Sequence, residues 1–404
     1  MANSNLTNAK IAKSDEFYTQ YHDIEKEVNA YLEYNPNVFQ GKTVLCPCDD
    51  PFESNFFKFF ALKFNAFKLK KLIATCYAGS SIANQELSLF PEETEENRTT
   101  RHPHKIEITE TPNLEDDRAV NLYDVQLLLA SDRNRLTRLE GDGDFRSSEI
   151  KKLRDEADMI ITNPPFSLFR EFITWLMEAH KQFLVIGNMN AITYKEVFPL
   201  IKDNHVWLGA TGNGHDMVFA VPKGVEIAEK DREKAARLGY VGDYTRLGNS
   251  CWFTNIDHGR RHQPLPLMTM ADNLKFSKHK EIRGKESYDR YDNYDAIEVP
   301  FTDAIPSDYD GVMGVPISFL DKHSPEQFEI LGITKTWYGG ANKIYPDQIQ
   351  ISANGQKSVV TKLNDGATLK LPDVPHGSTY YIVGGEYYTQ VYARILIKRK
   401  EAER

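Results

Sequence analysis

Residues 157–169 read ADMIITNPPFSLF. Met159, Ile160 and Ile161 form a short apolar run that ends at Thr162, and Asn163, Pro164, Pro165 and Phe166 follow at once. A compact apolar run closed by two prolines reads as a buried strand. The next residues, SLFREFITWLMEAH, read as a helix with Ser167 as its N-cap. Strand, stiff loop and helix make up the repeating unit of a parallel sheet. The two prolines hold the loop rigid, and the Phe166 ring has no obvious core to join.

The same alternation extends in both directions. Residues 15–34 read as an extended start followed by a helix. TVLCP (43–47), KLIATCY (71–77), RLEGDGDFRSS (138–148) and QFLVIGN (182–188) are further strands. After the first of these, Asp50, Pro51 and Glu53 have the spacing of a helix cap, and Phe52, Phe56, Phe59, Phe60 and Phe64 recur at helical spacing. AITYKEVFPLIKDN reads as helical, and VWLG, DMVFAVP and SCWFTNI supply strands through about residue 256. Residues 78–138 are polar and irregular and read as a surface excursion. The prediction is an α/β chain with a doubly wound, mostly parallel sheet in residues 1–260. Beyond 260 the rhythm is lost. Residues 335–404 read as β-rich, with turn signals ANGQ, NDG, PHGS and GGE, so 261–404 is predicted to be a second, mixed α+β domain.

Bulk properties narrow the classes. A chain of 404 residues holds two or three domains. No apolar run approaches the roughly 18–20 residues of a membrane helix, and the N-terminus has no apolar signal core, which together predict a cytoplasmic protein with no membrane partner. Cys46, Cys48, Cys76 and Cys251 suit a reduced compartment, and no Cys/His pair has zinc spacing, so no metal is expected. The net charge of −9 argues globally against nucleic acid. Charge acts locally, however. Acid collects in PEETEEN (91–97) and TPNLEDD (111–117), and base in KLKK (68–71), HGRRH (258–262), KFSKHKEIRGK (275–285) and KRK (398–400). Arg260, Arg261, Lys278 and Lys280 are the candidates for phosphate contacts, weighed against ordinary surface charge.

Ligands of doubly wound sheets bind at the carboxyl ends of the strands. Asp49 and Asp50, Asp144 and Asn163 each follow a different predicted strand. The Asn163 side-chain oxygen and the Pro164 carbonyl, held by Pro165, would form a rigid acceptor pair. Such a pair draws the two N–H groups of an exocyclic amine out of its ring plane and frees the lone pair to attack a methyl group. Phe166 would stack on the base. The methyl donor would be S-adenosylmethionine (SAM). A glycine-rich first loop is usual for such a cofactor, and Cys46–Pro51 contains no glycine. There Asp49 and Asp50 would meet the donor's ammonium or ribose hydroxyls. Asp144 would accept from its adenine amine and Phe145 would pack nearby. The plainer alternatives are a stiff turn at Asn163–Phe166 and cap or turn roles for the aspartates. Pro47-Cys48 superficially matches the nucleophile of cytosine-C5 methylation, but it follows the first strand, where the cofactor belongs.

Several long segments resemble the EcoRI modification methylase family: SDEFYTQY (14–21), CDDP (48–51) with SNFFK (54–58), KKLIA (70–74), GDGDFRSS (141–148), TNPPFSLF (162–169) and ITYKEVF (192–198). YDNYDAI (291–297), GVMGVPI (311–317) and RILIK (394–398) carry the resemblance into the second half. Residues 90–117 and 335–390 depart from the family pattern. The resemblance implies a seven-stranded SAM-dependent methyltransferase sheet with a C-terminal target-recognition domain. It implies methylation of adenine N6 in double-stranded DNA, with the target base flipped out. On the family's motif order, Asp15, Phe17, Tyr18 and Thr19 help to close the SAM site. Cys48, Asp49 and Asp50 lie in its first motif, and Asp144 and Phe145 lie near its adenine. Asn163, Pro164, Pro165 and Phe166 are catalytic, and Asn163 also borders the cofactor. A monomer is implied. A separately acting restriction endonuclease, or an orphan or phage setting, both stay open. RNA or a protein glutamine amide as substrate, and a DNA-binding protein with a dead cofactor site, are the competing readings.

Overall fold

The computed structural model describes residues 17–50, 54–76, 103–112, 128, 131–211, 217–221 and 227–400. The chain divides into two units, Met1–Ala191 with Val206–Gly259, and Ile192–His205 with Arg260–Arg404. Among the described residues the first unit contains β1 (Tyr18–Thr19), β2 (Thr43–Cys46), β3 (Lys71–Thr75), β4 (His104–Ile108), β5 (Arg135–Arg138), β6 (Met159–Thr162), β7 (Gln182–Asn188), β8 (Trp207–Leu208), β9 (Met217–Ala220), β10 (Tyr244–Leu247) and β11 (Ser250–Thr254).

Eight of these form one sheet, in the order β5-β4-β3-β2-β6-β7-β11-β8. The four central strands, β3, β2, β6 and β7, run parallel. Antiparallel pairings add β4 and β5 at one edge and β11 and β8 at the other. The sheet is therefore α/β but mixed, and it differs from the expected seven strands in mostly parallel order. The centre was readable because β2 and β6 are buried along their whole length and are apolar apart from one terminal threonine each. The edges were not. Residues 78–138, expected as a surface excursion, supply β4 and β5. In β4 only alternate residues, His104, Ile106 and Ile108, are buried, while Lys105 and Glu107 pair with each other at 2.8 Å. The expected strand 138–148 is in fact mostly loop. DMVFAVP gives β9, which joins a separate three-stranded sheet, β1-β9-β10.

The helix Asn55–Leu62 follows β2. Its N-cap is Ser54, not Asp50, with Ser54 Oγ accepting from Phe56 N at 3.1 Å and Phe57 N at 3.4 Å. A cap of this kind contributes about 1 kcal/mol. Phe56, Phe57, Phe59 and Phe60 are all fully buried, and Asn55, Lys58 and Leu62 are partly exposed, so the helix packs a broad apolar face inward. Each such side chain contributes roughly 1.5–3 kcal/mol. Phe52 lies outside the described residues.

In the second unit, Ile297–Glu298, Met313–Pro316, Arg394–Arg399 and Phe328–Ile333 form a four-stranded sheet in that order. Phe328–Ile333 and Arg394–Arg399 are antiparallel neighbours, yet residues 334–393 intervene in sequence. That interval folds into its own five-stranded antiparallel sheet, made from Gln348–Ile351, Lys357–Val360, Thr368–Leu371, Tyr380–Val383 and Glu386–Gln390. It is tied to the rest of the unit by Asp292 N donating to Thr368 O at 2.8 Å and Asn293 Nδ2 donating to Gly366 O at 2.9 Å. No described helix is long and apolar enough to cross a membrane.

Candidate active site

β6 ends at Thr162, and Asn163 projects from the carboxyl edge of the sheet. Its amide Nδ2 donates to the Phe17 carbonyl at 2.8 Å. That bond fixes which end of the amide points where. Asn163 Oδ1 is buried and has no hydrogen-bond partner. The Pro164 carbonyl also makes no hydrogen bond among the described residues. Two acceptors on consecutive residues are thus left unused inside a protein that satisfies nearly all such groups.

A narrow cavity adjoins Asn163. Phe17, Tyr18, Thr19, Cys48, Asp49 and Asp50 line it, together with Ser54, Asn55 and Phe56. Every described residue that the sequence assigned to the first loop and the N-terminal segment therefore borders one space with Asn163; Asp15 lies outside the described residues. Thr19 Oγ1 is buried without a partner, a second unused polar atom on this cavity. Asn55 Nδ2 donates to Thr19 O at 2.7 Å and holds β1 in place as a wall. Ser54 and Asn55 had no assigned role. Ser54 was legible only as a polar residue ahead of a phenylalanine run.

Asp49 is buried, and both its oxygens are engaged. Oδ1 accepts from Ser54 Oγ at 2.6 Å and Oδ2 from Thr162 Oγ1 at 2.5 Å. Burial pushes its carboxyl up to about 7, the two hydroxyls oppose that rise, and neighbouring Asp50 adds to it. Asp50 is also buried, and its backbone carbonyl accepts from Ser54 N at 2.8 Å.

Asp144 and Phe145 do not line this cavity. Gly143 has φ +76°, and a Cβ there would meet the Cys76 carbonyl at 2.1 Å, so the loop passes directly over the end of β3. The Asp144 carboxylate accepts from Arg146 Nε at 2.8 Å and Arg146 Nη2 at 2.6 Å, while Arg146 Nη1 reaches Glu171 at 2.8 Å. Phe145 is buried against Phe172 and Trp175, with ring centroids 5.0 and 5.6 Å away. Its ring packs with the helix Phe169–Glu178.

Phe166 is half-buried and meets Phe219 edge-on at 6.4 Å. Phe219 also touches Phe17, at 6.2 Å. It sits in β9, opposite Thr19 of β1, so one buried ring supports both the proline loop and the cavity wall. Sequence reading missed Phe219 because this contact joins residues far apart in the chain. Gly187 in β7 has a related role. A Cβ there would meet the Phe169 ring at 2.4 Å, so glycine makes room for the residue that starts the helix after the loop.

The four candidate phosphate contacts fall into different environments. Arg261 is buried and donates to Asn204 Oδ1 at 2.5 Å, which removes it from that role. Arg260 pairs with Asp321 at 2.5 Å. Lys278 is 74% exposed and pairs with Asp303 at 2.7 Å, and Lys280 is exposed. No cluster of His, Cys, Asp and Glu among the described residues could hold a metal ion.

Comparison with known proteins places the chain in a family. A family model described as adenine-specific methyltransferase EcoRI matches residues 5–400. The type II methyltransferase M.EcoRI of Escherichia coli is 43% identical over 334 residues, covering 82% of this chain and 90% of that protein. The type II methyltransferase M.MpnI of Mycoplasma pneumoniae is 34% identical over 331 residues, covering 80% and 83%. No solved structure matches. With nearly its whole length matched, the chain belongs to the EcoRI family of adenine-specific methyltransferases.

Proposed function

We propose that this protein is a site-specific DNA methyltransferase that flips an adenine out of double-stranded DNA and methylates its N6 amine. The observation that carries this reading is the orientation of Asn163. Phe17 O holds the amide nitrogen, so Oδ1, beside the unused Pro164 carbonyl, is left to accept from an incoming amine. Two acceptors on a rigid loop suit a planar –NH₂ group that must pyramidalise before it attacks. No strong base is needed, because the amine becomes acidic only as the methyl group arrives. Phe166, steadied by Phe219, supplies a ring for the flipped base.

The lining of the cavity offers groups that SAM would need. A ligand carrying an ammonium, a sulfonium and ribose hydroxyls needs carboxylates, backbone carbonyls and a hydroxyl, and Asp50, the Phe17–Thr19 segment and the unpartnered Thr19 Oγ1 offer them. When bound, SAM would supply the electrophilic methyl group. Asp144 and Arg146 hold the neighbouring loop in shape, from which Asp144 would reach the cofactor's adenine amine. Residues 1–260 form the catalytic domain in this reading and 261–404 the domain that recognises the target. The central β3-β2-β6-β7 order, with an antiparallel strand beyond β7, supports a methyltransferase sheet of the SAM-dependent kind. The enzyme works in the cytoplasm as a monomer, as a modification methylase of a restriction-modification system or as an orphan or phage methylase.

Methylation mapping tests this directly. The protein is expressed in a methylation-deficient host, and the DNA is sequenced for N6-methyladenine, with Asn163→Ala as control. One modified motif, present only with the wild type, is the expected result. An unmodified genome from soluble protein that binds SAM overturns the DNA reading in favour of RNA or protein.

A further inference from the structure

We propose that Asp49 is a positioning residue for methyl transfer: its carboxylate braces the strand end that carries Asn163 against the loop that walls the cofactor cavity. This rests on the function proposed above and adds a residue that acts through Asn163.

β2 and β6 are the neighbouring strands between which the chain's path through the sheet reverses, from β3 on one side to β7 on the other. Strands open into a crevice at such a point. Here the paired register stops at Leu45–Ile160, two residues short of Thr162. The backbone ladder therefore does not hold the end of β6 to β2 where the site begins. Asp49 spans that gap. Thr162 Oγ1 donates to one carboxylate oxygen and Ser54 Oγ to the other. Ser54 in turn caps the helix Asn55–Leu62, and Asp49 N donates to Thr75 O at 3.0 Å in β3. One buried residue thus ties together the ends of β2, β3 and β6 and the start of the helix Asn55–Leu62, its amide reaching β3 and its carboxylate reaching Thr162 and Ser54. Thr162 immediately precedes Asn163 and is paired on its other side with Val185 of β7, so loss of the brace loosens the β2 side of the residue whose amide must meet the substrate. Small displacements at a reacting centre are expensive in rate.

The brace predicts a split between rate and binding. Thr162→Val keeps the shape and removes the donor, whereas Thr162→Ser keeps the donor. Single-turnover transfer from SAM to DNA of a methylation-deficient host, at saturating concentrations of both, should slow about tenfold to a hundredfold in Thr162→Val. SAM affinity should stay within about threefold, because the cavity lining is intact. Thr162→Ser should restore the wild-type rate, and Asp49→Asn should follow Thr162→Val. A Thr162→Val rate within twofold of wild type overturns the brace, as does a rate loss that extra SAM restores. If Asp49→Asn fails to fold, the Thr162 pair decides alone. A wild type inert on DNA overturns the functional reading and the brace with it, whereas an active wild type with an equally active Thr162→Val overturns the brace only.

Discussion

Each unit contains a buried polar cluster, and the two are built in opposite ways. In the second unit, Glu298 is enclosed and every oxygen is used. Arg394 donates to Oε1 from Nη2 at 2.7 Å and to both oxygens from Nε at 3.1 Å, and the Tyr291 hydroxyl donates to Oε2. In the first unit, Asn163 Oδ1, Thr19 Oγ1 and the Pro164 carbonyl are left without partners. An unsatisfied buried acceptor costs about 1–3 kcal/mol. A cluster that tolerates this cost is reserved for a ligand, and a saturated cluster holds the fold together.

The most severe test of that contrast is Asn163→Ala. It should lower methyl transfer at least roughly 10²–10³-fold, the loss typical when a positioned polar group at a reacting centre is removed. Its stability should fall only by the worth of the one bond from Nδ2 to Phe17 O, about 1 kcal/mol, because Oδ1 contributes no bond to the fold. Single-turnover kinetics beside a melting curve checks both, and a variant with near-normal turnover would break the comparison. The saturated cluster should respond the other way. Arg394→Ala leaves Glu298 charged and unpaired, which costs about 3–5 kcal/mol of stability. A urea titration reads that loss, and SAM affinity should not change, because the cofactor cavity is built wholly from first-unit residues.

A third cluster falls between these extremes. Glu27 is fully buried and accepts from Ala210 N and Thr211 N, both at 2.7 Å, and from Thr211 Oγ1 at 2.5 Å. Burial pushes its carboxyl up to about 7 against the pull of those donors. A carboxyl whose folded value lies above its unfolded value binds more protons when folded, so stability falls as pH rises. The contribution is fully present below about 4.5 and is lost through about 7. Asp49, pushed up to about 7 from 3.8, has the same sign. Glu27→Gln removes one of the two, so the loss of stability between pH 5 and pH 8 should shrink by on the order of 3 kcal/mol. Urea midpoints of the two proteins across that range measure the difference, and equal slopes would rule the assignment out.

These contrasts also mark where sequence is informative. Thr43–Cys46 and Met159–Thr162 were legible because strands buried on both faces are mostly apolar, here with one threonine each. Asn163–Phe166 was legible because two prolines after such a strand are rare and stiff. Gly384 and Gly385 both take positive φ in the turn between Tyr380–Val383 and Glu386–Gln390, a local signal that two residues carry. What stayed hidden is non-local. Phe219 supports Phe17 and Phe166 across a pairing that no periodicity announces. Asp49 looked like a cofactor ligand from its place after a strand, and only the coordinates show that Thr162 and Ser54 take up its two oxygens. His104–Ile108 was lost among charged neighbours because a strand buried on one face needs only alternate apolar residues.

Burial also sorts the cations of the second unit, where the smallest effect is expected. Arg261 and Lys280 looked alike as members of basic stretches, yet Arg261 is 7% exposed and bonded to Asn204, while Lys280 faces solvent. A cation contacts phosphate only if it reaches water, and each contact releases counterions, steepening the salt dependence of binding. Lys280→Ala should therefore weaken DNA binding uniformly across sequences and lower the slope of log K against log salt by about 0.9. Arg261→Ala should leave that slope unchanged and lower the urea midpoint instead, because it deprives a buried acceptor of its donor. Binding isotherms at several salt concentrations separate the two. If Arg261→Ala changed the slope while Lys280→Ala did not, burial would be the wrong criterion for finding the DNA-facing cations of this unit.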